Sequence, residues 1–509
     1  MPALIDRISG GRRVENHRPW PRAVVSQDGW RAVAHQLSAS ELVLLGLWAD
    51  KAAVHLAISD QPGAEIAIVS CECPEGRFPS VGALHPPAIR LERAIVSLHG
   101  LTPVGLPDPR PWLDLGFWDV AHPLSSLIAP VKGQGGQEES ARMPYSFLPA
   151  EGEGLHQIPV GPVHAGIIEP GHFRFTANGE TVVRLEQRLG YVHKGIESLM
   201  TGATPEKAAR LAARSSGDST VAYALAFAQA VEAALQVQAP PRAVYLRALM
   251  AELERLANHF GDIGAICNDA SFSIMHAHCG ILREQTLRAA DFCFGHRLMM
   301  DHVVPGGVAA DLSADGAARV EKLLQEVRKA FPQLIELYDN TASLQDRTVT
   351  TGFVRPELAR QFGAGGYVGR ASGRAFDARR RPGYAPYGEL SFDVPVLEAG
   401  DVDARVWIRI REVEQSLALI EQILQKLADG PIQVAVGNHS GEGLGLAESF
   451  RGDVLAWVRI ENGLIARCHL RDPSWFQWPL LETAVEGNIV ADFPLCNKSF
   501  NCSYSGHDL

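Results

Sequence analysis

Residues 240–269 read PPRAVYLRALMAELERLANHFGDIGAICND, which is the pattern of one long amphipathic helix. Two prolines open the stretch, and proline is well tolerated in a first helical turn. The apolar residues then recur every three or four positions, as one face of an α-helix requires. They are Leu246, Leu249, Met250, Leu253, Leu256, Phe260, Ile263 and Cys267. We therefore predict a long helix that packs on the protein core along this face.

A row of charged residues lies beside the apolar face. Glu252, Arg255, His259 and Asp262 follow one another at helical spacings, and Asp269 extends the row if the helix continues. Such a row is ordinarily a solvated face. In a strongly apolar helix it can instead be a buried seam of paired charges, and we predict this second arrangement. A histidine and acids on one wall can relay protons near neutral pH, so His259 and Asp269 are candidates for a proton relay.

Length and composition exclude several classes of protein. The chain has 509 residues, of which 46% are apolar and 21% charged, so it is globular and long enough for two domains or more. Its net charge of −11, without a basic cluster, predicts no nucleic-acid partner. Eight scattered cysteines do not form a disulfide scaffold, and the N-terminus does not resemble a signal peptide. The apolar stretch 220–239 is interrupted by Gln229, Glu232 and Gln236, which predicts a buried helix rather than a membrane span.

Three regions follow one another along the chain. Residues 1–118 combine short apolar runs with a helical stretch at 89–98, which predicts a small α/β domain that folds on its own. Residues 119–154, with a glycine-rich segment at 133–137, are typical of a linker. Residues 155–509 carry long helical patterns, such as 204–235 and 403–427, and short strand-like runs. The sequence thus predicts an α+β fold: a small N-terminal α/β domain followed by a large, mainly α-helical domain with β hairpins.

The spacing of potential ligands predicts no metal site within this chain. No two cysteines have C-x-x-C spacing, and Cys496 and Cys502 are separated by five residues. His276 and His278 would point to different sides of a helix and cannot share one ion. The glycine-rich segment 363–369 lacks the dinucleotide-binding spacing, and P-loop and G-x-S-x-G motifs are absent from the sequence. We predict a tight turn at 363–369 instead.

An ordered series of motifs occupies residues 158–492. They are GPVH at 161–164, EPGHFR at 169–174, GYVHKGIE at 190–197, the helix at 247–264, GRASG at 369–373, 405–416, Arg451-Gly452 and Pro473-Ser474. Together they resemble the large subunits of membrane-bound nickel–iron hydrogenases and their relative, the D-type subunit of respiratory complex I. Four N-terminal motifs resemble the C-type subunit of complex I: 78–80, 92–93, 99–100 and 108–110. A fused C–D chain is the layout of large subunits of the formate-hydrogenlyase type, also called the hydrogenase-4 type.

The resemblance also shows where this sequence departs from the family. Hydrogenases of the family hold nickel and iron with two C-x-x-C pairs, one after an arginine that matches Arg214 and one near the C-terminus. Here Ser215 and Ser216 follow that arginine, and the C-terminal spacing is wrong. Four thiolates are what such a soft metal site requires. The resemblance with these departures implies a large subunit without a nickel–iron centre.

The resemblance to complex I supplies further candidates. The D-type subunit places a histidine on the first hairpin and a tyrosine in the loop after the arginine, close to the quinone. Here Glu169 stands at the histidine position and the tyrosine position is deleted. Asp269 matches the family's aspartate partner of that histidine, so Glu169 and Asp269, with His259, are the expected proton-carrying residues. His164, His172, Arg174 and Arg214 are the expected residues of the cavity and quinone region.

These features predict the large subunit of a complex-I-like or formate-hydrogenlyase-like oxidoreductase. We expect it to bind no cofactor itself, to hold a small subunit that carries a 4Fe–4S cluster, and to be coupled to ion-translocating membrane subunits, with quinone as a possible acceptor. We expect a cytoplasmic location, on the inner face of the cell membrane. The alternative is a non-catalytic scaffold with an inert cavity.

The missing cysteine pairs lead to a first prediction. The purified chain should contain neither stoichiometric nickel nor an iron–sulfur cluster, because the positions of the two cysteine pairs supply at most two thiolates, those of Cys496 and Cys502. Elemental analysis checks this, and nickel close to one atom per chain would contradict it.

Overall fold

The computed structural model describes residues 3–8, 10–125, 145–165 and 168–509, and it confirms the α+β class. The glycine-rich segment 133–137 of the expected linker lies outside the described residues. The domain boundaries at 118 and 155 therefore stay predictions.

The elements are numbered in chain order. The strands are β1 Arg12–Val14, β2 His17–Arg18, β3 Arg22–Val25, β4 Leu42–Asp50, β5 Ala53–Asp60, β6 Ile66–Glu72, β7 Arg77–Pro79, β8 Thr102–Val104, β9 Leu155–Val160, β10 His172–Asn178, β11 Thr181–Arg188, β12 Val303–Val304, β13 Gly307–Val308, β14 Gly441–Ser449, β15 Gly452–Glu461 and β16 Leu464–Arg471. The helices are α1 Gln27–Ser38, α2 Ile89–His99, α3 Ile196–Met200, α4 Pro205–Ala212, α5 Thr220–Ala234, α6 Pro241–Asp269, α7 Ser273–Phe294, α8 Ala314–Asp339, α9 Ala342–Thr348, α10 Pro356–Gln361, α11 Gly366–Ala371, α12 Val402–Lys426, α13 Ser474–Val485, α14 Phe493–Phe500 and α15 Tyr504–Asp508.

Three sheets organise the strands. The N-terminal sheet has the order β1-β3-β6-β5-β4, with β3 and β6 parallel and the other pairs antiparallel. A three-stranded antiparallel sheet, β11-β10-β9, carries the first hairpin of the helical region. A four-stranded sheet, β16-β15-β14-β2, lies against α5. The long helices α6, α7, α8 and α12 pack around one another beside it.

The helical pattern at 204–235 is interrupted in the structure. It forms α4, ends at Ala212, and resumes as α5 at Thr220. Residues 213–219 between the two helices form a loop, because Ser215, Ser216, Gly217 and Asp218 are poor helix formers. The expectation of one helix was therefore wrong here, and the loop borders the site described below.

Helix α5 lies directly on strand β14 because both surfaces lack bulky side chains. A Cβ atom on any of three glycines of β14 would overlap a carbonyl oxygen of α5: Gly441 faces Ala234, Gly443 faces Ala230 and Gly445 faces Ala226. Every second residue of the strand thus contacts every fourth residue of the helix, which is the spacing at which each element presents one face. This contact buries α5, so a buried helix begins at residue 220 as predicted, but the helix ends at Ala234 and not at 239. Among the described residues, no helix has the length and hydrophobicity needed to cross a bilayer.

The N-terminal region shares its core with the rest of the chain. Strand β2 pairs with β14, and Trp48 of β4 packs on Trp457 of β15 with ring centroids 5.6 Å apart. The carboxylate of Asp50 accepts a hydrogen bond of 2.8 Å from Arg459 Nε. Separating the regions would expose this buried aromatic pair to water. These contacts join the N-terminal region to the rest of the chain, and the expectation that residues 1–118 fold on their own stays a prediction.

The charged row of α6 is buried, as predicted. Glu252, Arg255 and His259 are at most 1% exposed and Asp262 is 5% exposed. Each has a partner on another element: His259 Nε2 lies 2.7 Å from a carboxylate oxygen of Glu412 on α12. Charges in a protein interior are tolerated when they are paired and hydrogen-bonded, and this row meets that condition.

Two arginines extend the row into a network. The guanidinium of Arg370 donates to Glu412 (2.5 and 2.9 Å) and to Glu448 on β14 (2.9 Å). Arg379 Nη1 donates to Glu252 (2.9 Å). Burial alone would raise the pKa of Glu412, but Arg370 and His259 outweigh it and hold that pKa well below its usual range. The network thus keeps Glu412 ionised and ties α6, α12, α11 and the four-stranded sheet together.

Loss of charge at Glu412 should destabilise the whole fold. Glu412→Gln removes the acid that pairs with His259 and one of the acids that pair with buried Arg370, and we expect a loss of about 3–5 kcal/mol in the free energy of unfolding, measured by denaturant titration. Glu421→Gln is the matched control, because Glu421 lies on the same helix and pairs with Arg328 at the surface (2.7 Å). The control should lose about 1 kcal/mol or less. Equal losses for the two variants would contradict the structural role of the network.

Candidate functional site

A cavity of about 580 Å³ lies where the first hairpin, the 213–219 loop, the end of α6 and the C-terminal segment meet. We call it the central cavity. Three residues expected from the sequence line it: His164 and Glu169 from the β9–β10 connection, and Asp269 from the last turn of α6. Residues from α14 and from 501–505 close the other side. The hairpin and α6, which are far apart in sequence, thus contribute to one site.

Hydrogen bonds join the hairpin to the C-terminal segment. Glu169 accepts from the backbone N–H of Ser505 at 3.0 Å. His164 Nδ1 lies 3.1 Å from the carbonyl oxygen of Pro162, and a carbonyl can only accept. Nδ1 therefore carries a proton, and Nε2 lies 3.4 Å from the hydroxyl of Tyr504. Burial raises the pKa of Tyr504 above its usual value, so the phenol stays protonated.

Hydroxyl groups occupy the centre of the site. Ser216, in the loop after Arg214, lies 2.8 Å from Ser503 between their Oγ atoms. Ser216 also donates to Asp218 at 2.9 Å, and Asp218 forms an ion pair with Arg451. Burial acts to raise the pKa of Asp218, but the charge and hydrogen bonds of Arg451 outweigh it and lower that pKa. The cavity therefore has the neutral hydroxyl pair of Ser216 and Ser503 beside the ion pair of Asp218 and Arg451.

Asp269 lies at the far end of the cavity. It has no ion pair within 4 Å among the described residues. Burial raises the pKa of Asp269 above its usual value, although the charge of Lys498 on α14 opposes the rise. An acid with a raised pKa next to a cavity is suited to take up and release protons.

The residues present do not fit a nickel–iron centre. The loop after Arg214 supplies hydroxyls, and the C-terminal segment supplies Cys496 and Cys502, which are both buried. Burial raises the pKa of Cys496 to about 12 and raises that of Cys502 as well. Metal ligation requires thiolates, and such a centre requires several of them. The described part of the chain also contains no group of three or more His, Cys, Asp or Glu side chains arranged to hold an ion.

Four other expected site residues do not line the cavity. His172 and Arg174 on β10 brace the hairpin: His172 Nδ1 lies 3.2 Å from the carbonyl of Gly161, and Arg174 Nε donates to His172 Nε2 at 3.3 Å. Arg214 points outward and binds Asp301 through two bonds of 2.6 and 2.8 Å. His259 is enclosed in the buried network. These side chains hold the frame of the site and do not contact its interior.

Several cavity residues were missed by the sequence analysis. Tyr504, Ser503, Lys498 and Asp218 all line the cavity. The loop after Arg214 did give a signal, since its Ser-Ser-Gly-Asp run replaces a cysteine motif. Tyr504 gave none, because its partner His164 lies 340 residues away and only the fold brings them together.

Comparison with known proteins gives concordant matches. Residues 272–440 match the family model "Respiratory-chain NADH dehydrogenase, 49 Kd subunit", and residues 194–261 match "Nickel-dependent hydrogenase". Formate hydrogenlyase subunit 5 of Escherichia coli (strain K12) is 32% identical over 465 residues, which cover 90% of this chain and 82% of that protein. A D-type NADH-quinone oxidoreductase subunit of Desulfotalea psychrophila is 32% identical over 341 residues, which cover 65% of this chain and 91% of that protein.

A solved structure has the same fold. A chain of the membrane-bound sulfane sulfur reductase, an archaeal respiratory membrane complex, superposes with a TM-score of 0.66 at 25% identity. The match covers 70% of this chain and 98% of that one. With the motif series, the fold and these relatives in agreement, the chain belongs to the family that comprises the large subunits of formate-hydrogenlyase-type hydrogenases and the 49-kDa, D-type subunits of complex I.

Proposed function

We propose that this chain is the large subunit of a membrane-associated oxidoreductase of the complex-I-like or formate-hydrogenlyase-like kind that works without a nickel–iron centre. In this proposal it holds an iron–sulfur small subunit and lies on the cytoplasmic face of the membrane, coupled to ion-translocating membrane subunits. The observation that carries the proposal is the central cavity: serine hydroxyls follow Arg214, where the family resemblance places a cysteine pair, and Tyr504 and Asp269 line the same space with raised pKa values.

The geometry suits proton-coupled reduction of a polar acceptor, and a quinone is the acceptor we favour. A 4Fe–4S cluster in the small subunit would supply electrons. The hydroxyl of Tyr504 is placed to donate a proton to a bound carbonyl oxygen, since its present partner is only the weakly held His164 Nε2 at 3.4 Å. Asp269, with its raised pKa, can resupply the cavity with protons.

An inert scaffold is the competing function. A scaffold has no need of an unpaired acid beside an internal cavity, because burying such a group is unfavourable. Asp269 is a half-buried acid beside the cavity, without an ion-pair partner within 4 Å among the described residues and with a pKa that burial raises. This supports a working cavity over an inert one.

Removing the phenol tests the proposed chemistry. Tyr504→Phe keeps the ring contacts with Trp478 and Phe173 but removes the proton donor. We expect reduction of a quinone analogue by the purified native complex, with reduced viologen dye as artificial donor, to slow by about 100-fold, as for loss of a general acid. Tyr338→Phe is the control, since its hydroxyl binds Asp403 (2.7 Å) away from the cavity, and its rate should not change.

Two outcomes would contradict the proposal. Equal rates for Tyr504→Phe and the wild type would exclude Tyr504 as the donor. A wild-type complex that contains the cluster-bearing subunit and yet reduces no acceptor would favour the inert scaffold.

Exposed apolar side chains near the central cavity indicate that a partner binds at the β9–β10 connection. Val163 is 82% exposed and Ile168 is also exposed, although both lie beside polar cavity residues. Exposed apolar side chains next to a functional site are typical of an interface. We therefore propose that the small subunit covers the β9–β10 connection.

A charged side chain at position 163 should weaken the complex with the small subunit. Val163→Asp should lower the affinity for the co-expressed small subunit by about ten-fold or more, because it places an unpaired carboxylate in a desolvated interface. Val183→Asp is the control, because Val183 is exposed on β11 of the same sheet. Pull-down at graded concentrations measures both variants. Unaltered affinity of Val163→Asp would place the partner elsewhere.

A further inference from the structure

The loop at 213–219 separates the central cavity from a second, smaller pocket. Gly217 and Asp218 border both spaces. The second pocket measures about 90 Å³ and is lined on its inner side by Glu254 and Asn258 of α6. Its outer side carries two exposed arginines, Arg283 and Arg297. We call it the side pocket. It has room for several water molecules, and although most of its lining is apolar, Asp218, Glu254 and Asn258 offer them hydrogen-bond partners.

Glu254 is the buried acid of the side pocket. It is 7% exposed, and its carboxyl oxygens accept the backbone N–H groups of Val221 (2.7 Å) and Ala222 (3.2 Å) at the start of α5. No described cation lies within ion-pair distance of it. A buried carboxyl without a cation is more stable when it is protonated. Its proton then needs an acceptor, and a water molecule in the side pocket would supply one.

The charges around Glu254 favour this protonated state. Burial raises the pKa of Glu254 to about 8, and the negative charge of Asp218 adds to the rise. The two amide donors and Arg255 oppose it. Arg283 and Arg297 stand at the outer end of the pocket, where Arg297 is bound to Glu284. Glu254 is therefore mostly protonated at neutral pH, whereas Asp218, held by Arg451, is ionised.

Asn258 fixes the two acids relative to each other. Its side-chain Nδ2 donates to the backbone carbonyls of Asp218 (2.8 Å) and Glu254 (2.9 Å). The loop cannot move away from α6 without breaking these bonds. Asp218, whose side chain is 39% exposed, faces the central cavity from the other side of the loop.

We propose that Glu254 and Asp218 form a proton route between the surface and the central cavity. The O–H bond of Glu254 breaks as its proton passes through water to the carboxylate of Asp218, which holds the proton only transiently because Arg451 favours its ionised form. A hydronium ion from the solvent at the arginine-lined mouth reprotonates Glu254 and leaves a water molecule. Asp218 then releases the proton into the cavity, so that charge and atoms balance over one passage. The need for such a route rests on the proposed proton-coupled function, but the exchange of the Glu254 proton can be measured without it.

Hydrogen–deuterium exchange in the purified chain tests the route. Infrared spectra at neutral pH should contain a protonated-carboxyl band that disappears in Glu254→Gln. Glu92 provides a matched reference within the same molecule. It is fully buried, accepts two backbone N–H groups as Glu254 does and in addition the hydroxyl of Ser80 (2.6 Å), and has a pKa raised by burial to about 7, but it borders neither cavity. After transfer to D2O, the Glu254 band should shift at least ten times faster than the Glu92 band.

Filling the side pocket should close the route. Ala257 of α6 lines the pocket, and Ala257→Leu should slow exchange at Glu254 at least ten-fold while leaving Glu92 unaltered. Ala290→Leu on α7 fills the same pocket from the other helix and replaces the first variant if that one folds poorly. Equal exchange at Glu254 and Glu92, an ionised Glu254 at neutral pH, or no effect of a folded pocket-filling variant would overturn the route. A native complex without reductase activity would contradict the proposed function and leave the exchange comparison as the test of the route.

Discussion

The buried ion network around Glu412 is the constraint on which the rest of the structure depends. Ionised groups cannot be left unpaired in a protein interior, so each member fixes the position of the next. Arg370 and His259 both hydrogen-bond to Glu412, and Glu252 accepts a hydrogen bond from Arg379. These bonds fix the positions of α6, α11 and α12 relative to one another. The network also reaches the cavity: Asp262 of α6 accepts from Asn501 in the C-terminal segment at 2.8 Å. The position of the cavity wall is thus set by the core.

Features with a local origin were predictable from the sequence. The period of apolar residues gave α6, and the charged row in an apolar helix indicated buried pairs, because neither feature requires knowledge of a distant residue. The partners of that row were not predictable. Glu412 is 153 residues from His259, and although it lies in the 405–416 motif, nothing in that motif identifies His259 as its partner. The shared core of the N-terminal region was missed for the same reason, since Trp48 and Trp457 meet only in the folded chain.

The cavity illustrates the same division between local and distant information. The absence of the two cysteine pairs can be read from the sequence alone. It indicates a chemistry different from that of the hydrogenases of the family. What replaces the cysteine pairs is a tertiary arrangement: the hydroxyls of Ser216 and Ser503 come together from opposite ends of the region. Hydroxyls and carboxyls hold protons where thiolates would hold soft metal ions. The same frame is therefore compatible with two kinds of chemistry, and a few side chains decide between them.

The contact between α5 and the glycines of β14 has a consequence for the precision of the site. Backbone lies against backbone there, so no rotamer of an intervening side chain enters the distance between helix and sheet. The loop that carries Ser216 and Asp218 leads directly into α5. Its height above the sheet is consequently determined by covalent geometry and van der Waals radii alone. This attachment is insensitive to repacking elsewhere in the core. The loop that carries Ser216 and Asp218 therefore keeps its position while the side chains around the central cavity are free to diverge.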